Sequence, residues 1–95
     1  MPTAEPTAAS FVLPAILNLQ AAAGLRDDLL ARRGTPLALD ASEVEQAGGQ
    51  CLQVLIAAAK LWRADSKPLT YSMTSPQFDA RLALMGADLA MLSNA

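Results

Sequence analysis

Histidine is missing from this 95-residue chain and cysteine occurs once. The first absence removes imidazole as a base, proton shuttle or metal ligand; the second removes an intrachain disulfide, and together they exclude the usual zinc sites. A lone Cys51 fits a reducing compartment. Aromatic residues are scarce, with two Phe, one Trp and one Tyr, so although 53% of residues are hydrophobic the core must be built from Leu, Ala, Val, Ile and Met. A basic face is also lacking. Seven Lys and Arg are scattered among nine Asp and Glu, for a net charge of −2, so nothing is arranged to neutralise a row of phosphates and nucleic acid is not an expected partner. The longest apolar run, Val54 to Ala59, falls far short of the ~20 residues a membrane span needs. No basic region followed by an apolar block opens the chain, so it does not read as a secretory signal. The expectation is a cytoplasmic protein without membrane insertion.

What is present reads as one domain, since a chain of this length closes a single core. Residues 1–9, rich in Pro, Thr and Ala, have little to bury and are expected to be a flexible N-terminal tail, with the folded domain over 10–95. Ser10 to Leu17 is apolar but interrupted by Pro14, which predicts a strand at a sheet edge or with a bulge. From Leu19 to Arg33, Ala22, Leu25 and Leu29 share one face of an amphipathic helix. Asn18 is placed to cap it, Arg32 and Arg33 suit its negative end, and Gly34 and Pro36 stop it. Leu37 to Asp40 is short and apolar, a strand covered on both faces. Ala41 to Gly48 reads as a polar connection. The helix predicted from Gly49 to Ala64 is apolar over most of its circumference, leaving Gln50, Gln53, Lys60 and Arg63 as a narrow polar strip, with Trp62 serving either core or interface. Pro68 to Met73 alternates Leu69, Tyr71 and Met73 against Thr70 and Ser72, a strand with one wetter face. Ser75-Pro76 starts a helix in which Phe78, Leu82 and Met85 share a face until Gly86. Asp88 to Leu92 is a short strand or a final helical turn. The order β-α-β-α-β-α predicts an α/β domain: a mixed, mostly parallel sheet of about four strands, with helices alternating along the chain.

The stretch VEQAGGQCLQVLIAAAK, Val44 to Lys60, raises the question of chemistry. Gly48-Gly49-Gln50-Cys51 lacks the lysine and hydroxyl of a Walker loop and is not a GxGxxG fingerprint. A helix N-terminus there can attract an anion, but a tight strand-to-helix turn accounts for the glycines. Cys51 falls in the first helical turn, where the dipole tends to lower a thiol pKa. With no histidine to serve it as a base, it reads as a small packed residue and not as a nucleophile. Asp40, Glu43 and Glu45 lie close together without the spacing of a calcium loop. No catalytic residue, cofactor or metal site is therefore assigned.

LALDASEVEQAGGQCLQVLIAAAK resembles the core of a STAS domain, the fold of anti-sigma factor antagonists. LPAILNLQAAAGLRDDLLARRG before it is similar to that family's first strand and helix, and PLTYSMTSPQFDARLALMG after it to the strand and helix that follow. In phosphorylated members the turn carries Asp, then a Ser or Thr that a partner kinase phosphorylates. The resemblance sets Gly48 at the Asp position and Gly49 at the phosphoacceptor, so the hydroxyl switch is missing here. GGQCLQVL most resembles the small stand-alone STAS proteins associated with bacterial chemotaxis systems. The implied function is a non-enzymatic interaction module that binds a chemotaxis histidine kinase or response regulator through Gln46, Gly48, Gly49, Gln50 and Gln53. The same resemblance admits a constitutive antagonist that binds an anti-sigma factor, or the STAS subunit of a lipid-transport ABC system. The glycines suit a close backbone approach and the glutamines suit uncharged hydrogen bonding to a protein, while the same glutamines equally suit the solvated strip of a buried helix.

Overall fold

Pro14 decides how the chain enters the fold, because it has no N–H to give to a ladder. In the computed structural model, which describes residues 9–93, strand β1 (Ala9–Val12) ends shortly before it and β2 (Ile16–Leu17) begins shortly after. Leu13 donates its N–H to the Asp40 carbonyl at 2.8 Å, and the Ala15 carbonyl then accepts from Glu45 at 2.8 Å and Gln46 at 3.1 Å. The chain thus steps from one ladder to another. The single strand expected over Ser10 to Leu17 is two strands, and the tail expected over 1–9 lies outside the described residues except for Ala9, which opens β1.

The remaining elements are α1 (Leu19–Ala31), β3 (Leu37–Ala41), β4 (Gln46–Ala47), α2 (Gly49–Ala64), β5 (Leu69–Thr74), α3 (Pro76–Leu84) and α4 (Leu89–Leu92). Every strand pairing is parallel, in one sheet of order β1-β3-β5 and a second of order β2-β4. The predicted α/β alternation stands, but the strands form two small parallel sheets instead of one mixed sheet of about four. The reason is length: β2 and β4 have two residues each, too few to show a period of two, and β4 is hidden in what reads as a polar connection.

Leu37, Leu39 and Ala41 on the central strand β3 are fully buried, and Ala38 and Asp40 between them are half-buried. In β5 the register shifts between Leu39↔Tyr71 and Asp40↔Met73, so Ser72 becomes an extra residue; its hydroxyl donates to the Leu39 carbonyl at 3.3 Å. A bulge of this kind turns the following side chain off its expected face. Met73, read as an inward residue, is 59% exposed.

Caps fix the helices. The Asn18 side chain accepts from the N–H of Ala21 at 3.0 Å. At the other end of α1, Arg32 donates to the Asp28 carbonyl, while Arg33 turns away to pair with Asp65, Nε to Oδ2 2.8 Å, joining the C-terminal ends of α1 and α2. Gly34 adopts φ +93°, a left-handed conformation that glycine takes without strain. Ser75 does two jobs: its hydroxyl accepts from the N–H of Phe78 at 3.0 Å and donates to the Val44 carbonyl at 2.6 Å, so the start of α3 is tied to the loop before β4. Met85 lies past the end of α3 and is exposed, contrary to the reading that grouped it with Phe78 and Leu82. The last segment is helical, with Asp88 capping α4 and Leu92 buried. Trp62 belongs to the core, at zero exposure.

Candidate functional site

The β2–β4 pair sets two helix starts side by side. Leu17 lies opposite Ala47, and each strand runs directly into a cap, Asn18 for α1 and Gly48 for α2. Gly48 donates its N–H to the Leu17 carbonyl at 2.8 Å, and the Cys51 thiol donates to the Asn18 carbonyl at 3.3 Å. The backbone of Gly48 is extended (φ −95°, ψ 165°), a conformation open to any residue. A Cβ at Gly48 would lie 3.4 Å from the Leu17 carbonyl oxygen, an ordinary contact, so the space does not require glycine either. A Cβ at Gly49 would lie 3.3 Å from Cε of Met85, the free end of an exposed side chain.

The five residues singled out in the sequence divide between two faces. Gln50 and Gln53 are exposed and line a groove of about 270 Å³ between α1 and α2. Gln46, also exposed, lines a separate shallow depression between β4 and α3, with Arg81 and Leu84 on its other side. Gly48 and Gly49, half-buried, open the helix between them. The α2 N-terminus carries no side-chain cap and no acidic residue in its first turn, so its positive end is uncompensated from within α2.

Three apolar residues near this turn escaped the sequence reading. Ile16 pairs with Gln46 across the β2–β4 ladder and is 38% exposed, while Leu84 and Met85 at the end of α3 are 76% and 45% exposed. Their type suggested core positions, and only the point where α3 ends releases Leu84 and Met85 to the surface. An apolar surface bordered by glutamines, with Glu45 and Arg81 at its edge, suits contact with another protein.

Cys51 is fully buried, and burial pushes its thiol up, opposite to the direction expected from the helix dipole. Desolvation of the thiolate outweighs the dipole because no solvent reaches the sulfur. The folded state thus favours the protonated thiol. The resulting contribution to stability is complete below the ordinary thiol range, ~8.5, and is lost as pH rises through it and the unfolded chain ionises. Iodoacetamide is expected to leave the native protein unmodified over hours at pH 8 and to alkylate it stoichiometrically in urea. Rapid native alkylation, followed by mass spectrometry, would contradict a packed role.

Asp40 is held below the usual carboxylate range by the hydroxyl and the N–H of Ser42, the latter donating to Oδ1 at 2.8 Å. It serves the turn after β3. Among the described residues no three His, Cys, Asp or Glu side chains gather as a metal site would require, and no helix is long and apolar enough to cross a membrane.

The fold is a small parallel α/β domain with an uncapped α2 start, glutamines on the two faces beside it and exposed aliphatic side chains nearby. The chain is a member of the STAS domain family: residues 6–93 match the family described as "Mlab, STAS domain". STAS domains are generally non-enzymatic modules that interact with other proteins. No curated protein and no solved structure matches the chain.

Proposed function

We propose that this protein is a non-enzymatic interaction module of bacterial signal transduction that acts in the cytoplasm and binds a chemotaxis histidine kinase or response regulator through the turn Gln46 to Gln53. The observation that supports this reading is the surface at the α2 start, where Gly49 lies beside the exposed Met85; on the resemblance of the turn, Gly49 takes the position of the family's phosphorylatable hydroxyl. A charge added at that position would reorder contacts with a partner; a glycine leaves the surface permanently in its unmodified form. The module is therefore constitutive at this turn, and the likeness of GGQCLQVL to the chemotaxis-associated members favours a signalling partner over an anti-sigma factor.

Affinity purification of the tagged protein from its native cell, with mass spectrometry of the co-purifying proteins, tests the assignment. Enrichment of a chemotaxis kinase or response regulator is the expected result. Recovery of an anti-sigma factor, or of the ATPase of a lipid-transport ABC system, in place of a chemotaxis protein would overturn it.

A further inference from the structure

We propose that the groove between α1 and α2 is a second docking surface, one that takes an amphipathic helix of a partner protein bearing a carboxylate. Along α2 the groove is lined by Val54, Ala57 and Leu61, spaced three and four residues apart, which places them in one stripe on the helix. Leu30 of α1, 42% exposed, forms the facing wall. The buried Ala58 and Trp62 line the groove as well, while Cys51, Leu52, Leu55 and Ala59 are buried in the core outside it. An apolar channel between two packed helices is the shape that a third helix fills with residues at i, i+3, i+4 and i+7, and the small side chain of Ala57 lets that helix approach closely.

Charge narrows the occupant. Arg26 is the one charged side chain on the groove wall and makes no ion pair among the described residues, whereas Arg33, just past the end of α1, is engaged by Asp65. A cation beside an apolar channel selects a helix with an acidic residue flanking its apolar stripe. A second copy of this chain is a poorer fit, because a symmetric pair would set groove against groove and leave both floors unfilled. A hydrocarbon chain is poorer too, since the groove is open along its length and would leave one side of the chain in water. The groove begins at Gln50 and Gln53, which the proposed turn interface also uses, and runs from there along the helices away from Gly49, past Val54, Ala57 and Leu61.

The test places the photo-crosslinker p-benzoylphenylalanine at Ala57 in the native cell, with the same crosslinker at the exposed Asp79 of α3 as control. The crosslinked peptide is mapped by mass spectrometry and its parent protein is purified for titration. The expected result is a crosslink specific to Ala57 that maps to an acidic amphipathic helix. Affinity for that protein should fall at least about tenfold in Ala57→Arg and about threefold in Arg26→Glu, with the latter restored when the helix's acidic residue is exchanged for lysine. Thermal melting of both variants checks folding; if Ala57→Arg loses its transition, the Arg26→Glu charge exchange decides alone. A crosslink to a second copy of the chain, no crosslink beyond the Asp79 control, or unchanged affinity in a folded Ala57→Arg variant would overturn the proposal. None of these readouts depends on Gly49, so a failed turn assignment and a failed groove assignment remain separable.

Discussion

Truncation of Trp62 to alanine is expected to lower the unfolding free energy by about 3–5 kcal/mol, the range for removing a large buried aromatic side chain. The indole is fully buried in the last turn of α2, and its N–H donates to the Thr35 carbonyl at 2.8 Å in the loop that carries the chain from α1 to β3. One side chain thus ties the end of α2 to the loop between α1 and β3. Most of the loss comes from the cavity, because a close-packed core relaxes only partly around the space a large side chain vacates. The hydrogen bond contributes less, since Thr35 is exposed and its carbonyl can turn to water. For a domain whose total stability is on the order of 5–15 kcal/mol, this loss leaves the fold marginal. Urea titration followed by far-ultraviolet circular dichroism measures it. Trp62→Phe, which keeps much of the volume, should retain most of the difference; a loss below about 1 kcal/mol in Trp62→Ala would show that the ring is not a principal core element.

How much of this was legible in the sequence depends on how far along the chain each signal extends. The boundaries of α2, the cap at Asn18 and the Ser75-Pro76 start of α3 could be read locally, because a cap and an apolar period are properties of a few consecutive residues. The β2–β4 pairing could not. Two residues in each strand leave no period, and the pairing is fixed by bonds from Glu45, Gln46 and Gly48 to carbonyls about thirty positions earlier, those of Ala15 and Leu17. Met73 was misplaced for a related reason: alternation is correct only while the register holds, and the register breaks beside Leu39. At the site, the identity of the turn residues was readable and their exposure was not. The glycine pair is half-buried, and at Gly48 a Cβ would meet the Leu17 carbonyl of the same chain at ordinary contact distance. Trp62, open to either reading from its place at a helix end, was settled by the packing of α1 across it.

Gly49→Glu is expected to move stability and affinity in opposite directions. Gly49 is the first residue of α2, where a carboxylate faces the uncompensated positive end of the helix, and the helix has no acidic residue in its first turn. Replacing glycine in a helix gains roughly 0.5–1 kcal/mol of backbone entropy, and the charge adds about 0.3–1 kcal/mol at low salt, the latter fading as salt is raised. Against this stands one tight contact, a Cβ at 3.3 Å from Cε of Met85; because Met85 is exposed and flexible it can withdraw at little cost. The variant should therefore unfold at an equal or slightly higher urea midpoint. On the proposed surface the same side chain brings bulk and charge to the centre of a contact between glutamines and aliphatic groups, and binding of the captured chemotaxis partner should weaken at least about tenfold. Titration calorimetry beside a urea melt reads both. The combination is diagnostic, because damage to the fold would lower both quantities together, whereas unchanged affinity in a fully folded variant would remove this turn from the interface. A Gly49→Ala control, which keeps the Met85 contact without the charge, separates the two causes: near-native binding there assigns the loss in Gly49→Glu to the carboxylate and to its side chain beyond Cβ.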